Sequence, residues 1–313
     1  MINRALLRIK IIQILYSYYK GDGKSLSTIE KEFFYSIERT YDLYFHLLLL
    51  SIEITRYAAE RIDLKRNKLL PTAEELNPNT RFIDNRFVAQ LSKNTAFNDH
   101  LTRQKLSWVN HKEMVKELYD EILEADFYND YMTAETDSYA ADKDIWRKIY
   151  NKIILQSEEF DNCIEDQSIY WVDDLELVMS FVIKTIKKFD EEAGAKQALL
   201  PMFKDNEDRE FASKLLSGSI TNGPAYRELI DQHTRNWELD RIAFMDILIM
   251  EVALSEIMDF PTIPVNVTLN EYIEIAKKYS TDRSGTFING VLDNIVSFWK
   301  KEKKLIKVMM FSK

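Results

Sequence analysis

Residues 242–257 constrain the fold of this chain more than any other segment. Nearly every position from Ile242 to Ile257 is apolar, and the run is interrupted only by Asp246, Glu251, Ser255 and Glu256. A helix that is apolar around most of its circumference must be surrounded by other parts of the protein. The segment therefore predicts a helix at the centre of a domain, packed by other elements on all sides.

The rest of the composition favours helices over strands. Only seven glycines and six prolines occur in 313 residues, and no stretch shows the period-two alternation of a strand bounded by turn residues. With 46% hydrophobic and 30% charged residues, the chain can bury a sizeable core. We therefore predict an all-α fold.

Two amphipathic helices are predicted to follow the central one. Thr268 and Glu271 have the spacing of a capping box, so a helix is expected to begin near Leu269. After the polar loop 280–285, a last helix contains Gly290, and glycine costs about 1 kcal/mol relative to alanine inside a helix. A glycine at this position is most easily understood if another backbone or a ligand approaches closely.

At the other end of the chain, a mostly buried helix is predicted over about residues 3–19. Arg4 and Arg8 are expected to emerge from it together, because they lie one turn apart. A second capping box at residues 27–30 opens a helix predicted to run to about residue 66. A helix of this length needs more to pack on than a small domain offers.

The C-terminal motifs resemble those of a known family. The order Pro264-x-x-Val267-x-x-Asn270-Glu271 is followed by an amphipathic helix, a short polar loop and the run Phe287-Ile-Asn-Gly-Val-Leu-Asp293. This arrangement looks like the C-terminal half of the NusB family of bacterial transcription antitermination factors.

The resemblance extends beyond these motifs. It continues backward through Trp237-Glu-Leu-Asp-Arg241 to Phe211, and it reappears in Ile12-Gln-Ile-Leu-Tyr16-Ser near the start of the chain. It implies a NusB-like helical bundle made of residues 1–64 and 205–313. Residues 65–204 are then expected to form an additional helical insertion packed on this core.

The resemblance also implies a function and partners. Members of the family bind the boxA element of rRNA leader transcripts as a heterodimer with NusE, a small-subunit ribosomal protein. The complex then helps RNA polymerase to read through termination signals. The expected partners are therefore boxA-type RNA, NusE and the RNA polymerase antitermination complex, and the role is recognition without chemistry.

Five residues are implied as RNA contacts. Arg4 and Arg8 match two of the family's N-terminal arginines, and paired guanidinium groups suit phosphate binding. In the loop before the last helix, Ser284 and Phe287 match the family, whereas Arg283 stands where the best-known members are acidic. Phe287 could either stack on a base or fill core, and the two arginines could instead form the polar edge of a buried helix.

Two residues are implied as contacts of NusE, namely Tyr16 and Asp246. An acidic side chain inside an apolar helix is costly if it is buried alone. Asp246 is therefore expected to face a basic partner, which is either NusE or a Lys or Arg of this chain.

Several features reduce the expected affinity for RNA. The net charge is −9, positions that are often basic in the family are Ala5 and Leu6, and Glu251 stands where the family typically has arginine, near the presumed surface. The alternative function is a protein-interaction scaffold that binds NusE without reading RNA. A continuous basic stripe around Arg4, Arg8, Arg283 and the C-terminal lysines favours RNA, and an interrupted one favours the scaffold.

Catalytic and metal-binding motifs are not found in the sequence. The four histidines are scattered, the glycines at 21 and 23 follow a helix rather than a strand, and Cys163 is the single cysteine. We predict no catalytic residue, no cofactor and no metal, so the chain is not expected to be an enzyme.

The chain is also expected to be cytoplasmic, without a membrane partner. Charged residues interrupt what would be the apolar region of a signal peptide at the N-terminus. The leucine-rich run 44–54 is too short to span a bilayer and contains His46 and Glu53.

Overall fold

A computed structural model of the protein describes residues 1–21, 25–234, 242–281, 283–305 and 307. Within these ranges every regular element is helical, apart from an isolated parallel bridge between Ile2 and Phe203. The predicted all-α fold is confirmed. The segment Trp237–Arg241, which belongs to the family resemblance, lies outside the described residues.

Fourteen α-helices occur in the described ranges. In chain order they are α1 (Arg4–Lys20), α2 (Leu26–Arg66), α3 (Ala73–Leu76), α4 (Arg86–Ser92), α5 (Thr95–Gln104), α6 (Lys112–Glu124), α7 (Asp126–Thr133), α8 (Tyr139–Lys152), α9 (Glu158–Gln167), α10 (Leu175–Lys188), α11 (Asn206–His233), α12 (Phe244–Asp259), α13 (Val265–Tyr279) and α14 (Ser284–Lys301). Short 3₁₀ segments occur at Ile154–Gln156, Val172–Asp174 and Glu191–Lys196.

The chain divides into two compact units. The larger contains Met1 and Glu38–Met202, and the smaller contains Ile2–Ile37 and Phe203–Lys313. The second boundary lies within two residues of the predicted one, but the first falls at residue 38 instead of residue 65. The reason is that side chains of α2 after Ile37, including Leu43, Tyr44 and Leu48, are fully buried in the core of the larger unit.

The smaller unit is organised around α12. Every residue from Asp246 to Ile257 is buried, and α1, α11, α13 and α14 pack against this helix. The prediction of a central buried helix is confirmed. It follows from the absence of a polar face, since such a helix is stable only where protein surrounds it.

Two predicted helix starts are displaced. Helix α13 begins at Val265, with Pro264 at its N-cap, so Thr268 and Glu271 lie inside the helix rather than at its cap. Similarly, α2 begins at Leu26, and the hydroxyl of Ser25 accepts a hydrogen bond from the backbone amide of Thr28, the third helical residue, at 3.3 Å. Both capping-box predictions were wrong. Thr268 and Glu271 bond to Glu256 and Arg8 instead of capping α13, and α2 begins before Ser27.

The larger unit has its own aromatic core. Trp108 and Trp146 are almost fully buried in it, and Tyr128 and Tyr131 are each 7% exposed. The phenol of Tyr131 donates to Asp142 at 2.7 Å. Tyr128 and Tyr131 are therefore core residues.

Candidate functional site

Arg8 lies inside the smaller unit. Its side chain is 5% exposed, and Nε and Nη2 donate to the two carboxylate oxygens of Glu256 at 2.7 and 2.8 Å. Nη1 donates to Glu271 at 3.0 Å. All three guanidinium nitrogens are thus engaged by acids of α12 and α13.

Glu256 is fully buried at the centre of this network. It also accepts hydrogen bonds from the hydroxyls of Thr268, at 2.9 Å, and Tyr272, at 3.0 Å. Burial alone would lower the pKa of Arg8, but the hydrogen bonds and negative charge of Glu256 outweigh it and hold that pKa above its ordinary value. Arg8 therefore fastens α1 to the central helix.

The expectation that Arg4 and Arg8 emerge together is wrong for Arg8. A guanidinium buried in a bidentate ion pair cannot also bind a phosphate without exposing Glu256, so the position of Arg8 argues for a structural role. Arg4 is different, because its side chain is 38% exposed. Its Nε donates to Asp208 at 3.1 Å, and its guanidinium lies 5.0 Å from the ring centre of Phe211.

Four of the seven predicted site residues line one open pocket. Its volume is about 220 Å³, and it lies where the start of α12 faces the loop before α14. The lining consists of Ile242, Ala243, Asp246, Thr281, Arg283, Ser284 and Phe287. Residues implied separately as RNA and protein contacts are thus brought together at one site.

Asp246 organises the wall of this pocket. Although it is only 5% exposed, its carboxylate accepts hydrogen bonds from the hydroxyls of Ser280, at 2.5 Å, and Ser284, at 2.9 Å. Ser284 is itself buried and lies 2.8 Å from the Thr281 hydroxyl. The partners that the structure gives Asp246 are therefore hydroxyl groups, in place of the predicted cation, and its first role is to hold the 280–284 loop.

Arg283 and Phe287 line the open side of the pocket. Arg283 is exposed, and Phe287 is half-buried at the first turn of α14. A cation and an aromatic ring at the mouth of one pocket suit a ligand that has both negative charge and flat apolar faces. Ser284 positions the loop and does not present a hydroxyl to solvent.

Tyr16 lies at the same end of α12. Its ring is 40% exposed and meets the edge of the Phe244 ring at a centroid distance of 5.6 Å. Phe244 is two residues before Asp246, and the Lys20 ammonium is 4.7 Å from the Phe244 ring centre. The two residues implied as contacts of a protein partner are thus near one another.

The predicted RNA contacts fall into two groups. Glu256, the partner of Arg8, follows Asp246 by ten residues, which is about 15 Å along an α-helix. Arg4 therefore lies near the C-terminal end of α12, and Arg283 lies near its N-terminal end. The basic stripe is interrupted, because Arg8 is buried and Arg4 is paired with Asp208.

Two further cations, which the sequence did not single out as RNA contacts, lie at the C-terminal end of α12 near Arg4. Lys214 and Lys307 donate to the main-chain oxygens of Asp259 and Phe260, at 2.6 and 3.0 Å. These carbonyls end α12, where the helix dipole favours positive charge. Burial lowers the pKa of Lys307. Only the fold brings these lysines together, since α11 and the chain end are far apart in sequence.

Glu251 is placed differently from its prediction. It is fully buried instead of near the surface, and it forms an ion pair with Arg227. Burial raises the pKa of Glu251, and the hydrogen bond and charge of Arg227 partly offset this. Glu251 therefore adds no negative charge to an RNA-binding face.

Gly290 lies on the exposed side of α14, and a methyl group built on it would meet no atom within 4 Å. No described part of this chain explains the glycine by close approach. We expect Gly290→Ala to raise the free energy of unfolding by about 1 kcal/mol, because alanine has the higher helix propensity and has room here. Urea denaturation followed by circular dichroism measures this change. A lower stability would show that the position is strained or crowded.

The fold also forms a pair that the spacing of the sequence did not reveal. Cys163 Sγ lies 3.0 Å from His111 Nδ1. Burial raises the pKa of the Cys163 thiol, so the pair lacks the depressed pKa of a reactive cysteine. Among the described residues, no group of three or more His, Cys, Asp or Glu could hold a metal ion, and no helix is long and apolar enough to cross a membrane.

Comparison with known proteins places the chain in a family. The NusB family model matches residues 175–297, and this match begins 30 residues before the predicted boundary at 205. The chain is 40% identical over 121 residues to the transcription antitermination protein NusB of Salinibacter ruber, covering 37% of this chain and 76% of that protein. It is 42% identical to the protein of the same name from Dictyoglomus turgidum, covering 30% of this chain and 66% of that protein.

A third relative has the same family name. The NusB of Geotalea uraniireducens is 44% identical over 28% of this chain and 60% of its own length, so the chain spans three fifths to three quarters of these relatives. A structure of T. maritima NusB covers 46% of this chain and 92% of its own, with 27% identity and a TM-score of 0.30. On the extent of the Salinibacter ruber match, which includes more than two thirds of that protein, this chain belongs to the NusB family.

Proposed function

We propose that this protein is a transcription antitermination factor that binds boxA-type rRNA leader RNA together with NusE, in support of rRNA transcription. The observation that carries the proposal is the identity with proteins named transcription antitermination protein NusB. The pocket at the start of α12 supplies a place for it, since four of the residues implied by the family lie there.

RNA binding is assigned first to the mouth of the pocket. Arg283 offers a guanidinium for a phosphate, and Phe287 offers a ring edge or face for a base. Arg283 in the loop and Phe287 in the first turn of α14 are held in place because Ser280 and Ser284 donate hydrogen bonds to Asp246. The site is therefore built before the ligand arrives, which reduces the entropy lost on binding.

A second set of phosphate contacts is assigned to the other end of α12. Arg4, Lys214 and Lys307 lie near the rings of Phe211 and Phe260, whose centroids are 4.7 Å apart and whose planes are tilted by 50°. A phosphate there competes with Asp208 for Arg4. Arg8 is left out of the proposed RNA face because it is buried.

NusE is assigned to the surface of Tyr16 and Phe244 beside Asp246. An exposed tyrosine that packs on a second aromatic ring is a common anchor of protein interfaces. RNA polymerase and its antitermination factors then join as the wider assembly. RNA and NusE would thus share the N-terminal end of α12.

The alternative is a scaffold that binds NusE without reading RNA. It is favoured by the interrupted basic stripe, since Arg4 is paired and Arg8 is buried in a chain of net charge −9. Both functions use the Tyr16 surface, and they differ only in whether the protein also binds RNA.

We expect Arg283→Ala to weaken binding of boxA-type RNA about five- to tenfold. The slope of log affinity against log salt concentration should also decrease by about one, the value for one lost phosphate contact. The measurement is fluorescence anisotropy of a labelled RNA at two salt concentrations, with and without NusE. Arg209→Ala is the matched control, because Arg209 is also exposed but lies over Phe34 and outside the pocket.

The outcomes separate the two functions and the two RNA faces. Binding of NusE without RNA at either salt concentration supports the scaffold. Binding of RNA that survives Arg283→Ala but is lost in Arg4→Ala and Lys214→Ala variants places the RNA at the C-terminal end of α12. Arg8→Ala is unsuitable for this test, because a loss of binding would report a loss of structure.

A further inference from the structure

The end of α2 exposes an apolar tip in the larger unit. Leu64, Leu69 and Leu70 have exposed fractions of 71, 97 and 87%. Leucines that stand this far out of a surface are unusual when they are clustered, and such clusters mark binding sites. We call residues 64–70 the leucine tip.

The leucine tip is basic as well as apolar. Lys65 and Arg66 are exposed, and neither forms an ion pair with any residue that the structure describes. Lys68 is paired with Glu75. Two exposed cations beside three leucines are complementary to a partner surface that is apolar and acidic. Because the side chains protrude, that surface must also be concave.

The same unit contains a surface with these properties. A pocket of about 370 Å³ is lined by apolar groups of α9, α10 and the 3₁₀ segments, namely Leu155, Ile164, Val172 and Leu175. Its acidic lining is formed by Asp161, Glu165 and Glu176. We call it the acidic pocket.

The carboxylates of the acidic pocket lack a cation. In the chain as described, none of Asp161, Glu165 and Glu176 is within ion-pair distance of a Lys or Arg, and all three are exposed. Burial and the neighbouring charge of Glu165 raise the pKa of Asp161. An incoming Lys or Arg would relieve this repulsion.

The acidic pocket has room for leucine side chains. An apolar cavity of about 150 Å³ in a protein core accepts a benzene ring. At about 370 Å³, the acidic pocket is larger than such a cavity, but it is open to solvent instead of enclosed. Exposed Ile169, with a fraction of 84%, adds apolar surface close in sequence to Val172.

The leucine tip cannot enter the pocket of its own chain. Gln167, three residues after Ile164, lies 2.9 Å from His46 on α2, which places the pocket near that part of the helix. Leu64 follows His46 by 18 residues of continuous helix, which corresponds to about 27 Å. The complementary surfaces are thus held apart within one molecule.

We propose that the leucine tip of one molecule docks in the acidic pocket of a second copy of this chain. The contact is heterologous, because different surfaces of the two copies meet. Each added copy leaves one tip and one pocket open, so assembly continues as a filament unless the rotation between copies closes it into a ring. Leu69, Leu70, Asp161 and Glu165 lie outside the residues 175–297 that match the family model, and the contact does not depend on RNA or NusE.

Two variants test the contact separately. Leu69→Ser/Leu70→Ser removes the tip, and Glu165→Lys/Glu176→Lys reverses the charge of the pocket. All four side chains are exposed or partly so, and folding is checked by circular dichroism. In sedimentation velocity over a concentration series, the wild type is expected to self-associate, and each variant is expected to do so at least about tenfold more weakly. Leu26→Ser is a control, because Leu26 is 42% exposed and lies outside both surfaces.

Mixing the two variants gives the decisive result. The tip variant retains an intact pocket and the pocket variant retains an intact tip, so an equimolar mixture is expected to form a heterodimer that goes no further. A wild type that stays monomeric at all concentrations overturns the proposal. It is also overturned if the variants associate like the wild type, or if the mixture behaves as the sum of its parts.

Discussion

Arg8→Ala is expected to lower the free energy of unfolding by about 3–5 kcal/mol, which is the usual effect of removing one partner of a buried ion pair. Glu256 is fully buried and would keep only the hydroxyls of Thr268 and Tyr272 as hydrogen-bond donors. A carboxylate in this position must then either stay charged without a counterion or take up a proton. Both possibilities destabilise the packing of α1 on α12.

Arg4→Ala is the matched control for this change. Arg4 lies one turn earlier on α1, but its partners Asp208 and Glu207 are nearer to solvent, so its loss is expected to cost less than about 1 kcal/mol. Urea denaturation of both variants, followed by far-UV circular dichroism, measures the difference. Equal stabilities of the two variants would show that the Arg8 network contributes no more than a surface pair.

Arg227→Ala is expected to have the second large effect, again about 3 kcal/mol or more near neutral pH. Arg227 forms the ion pair with fully buried Glu251, and its guanidinium lies 3.9 Å from the ring centre of Tyr19. Removal of the guanidinium leaves Glu251 as a buried acid without a counterion.

The loss caused by Arg227→Ala is also expected to depend on pH. Burial already raises the pKa of Glu251 above its ordinary value of 4.5, and loss of Arg227 raises it further. A carboxyl group with a raised pKa in the folded state contributes stability below its unfolded pKa, and this contribution is lost as the pH rises through the folded pKa. The variant should therefore be closest to the wild type at about pH 4–5 and furthest from it near pH 8.

A double variant isolates the group responsible. Arg227→Ala/Glu251→Gln has no carboxyl to titrate, so its difference from the wild type should vary much less with pH. The readout is the free energy of unfolding from urea denaturation at several pH values. A loss in Arg227→Ala that is the same from pH 5 to pH 8 would contradict the assignment to Glu251.

The contrast between Arg4 and Arg8 shows where sequence patterns stop being informative. Their spacing correctly places both on one side of α1, and both guanidinium groups lie near the ring of Phe211. The pattern does not say how deep that side is buried. Depth depends on Glu256, which is 248 residues away and reaches Arg8 only in the folded chain.

The same limit applies to the acids of α12. An acidic residue in an apolar helix predicts a hydrogen-bond or ion-pair partner, but the tertiary packing decides which residue that partner is. Asp246 meets the hydroxyls of the 280–284 loop, Glu251 meets Arg227, and Glu256 meets Arg8. Apart from Ser255, which precedes Glu256, the nearest neighbours of these acids in sequence are apolar and give no indication of the choice.

Taken by itself, the sequence determined the all-α class, the burial of the central helix and the family, because hydrophobic periodicity and a long contiguous motif are local properties of the chain. Tertiary structure alone decided which charged groups reach solvent. It buried Arg8 and Glu251, kept Arg283 exposed, and placed the leucine tip about 27 Å along α2 from His46, close to which the acidic pocket lies. The physical reason is that burial and charge pairing depend on contacts between residues far apart in the chain, and these distances exist only after folding.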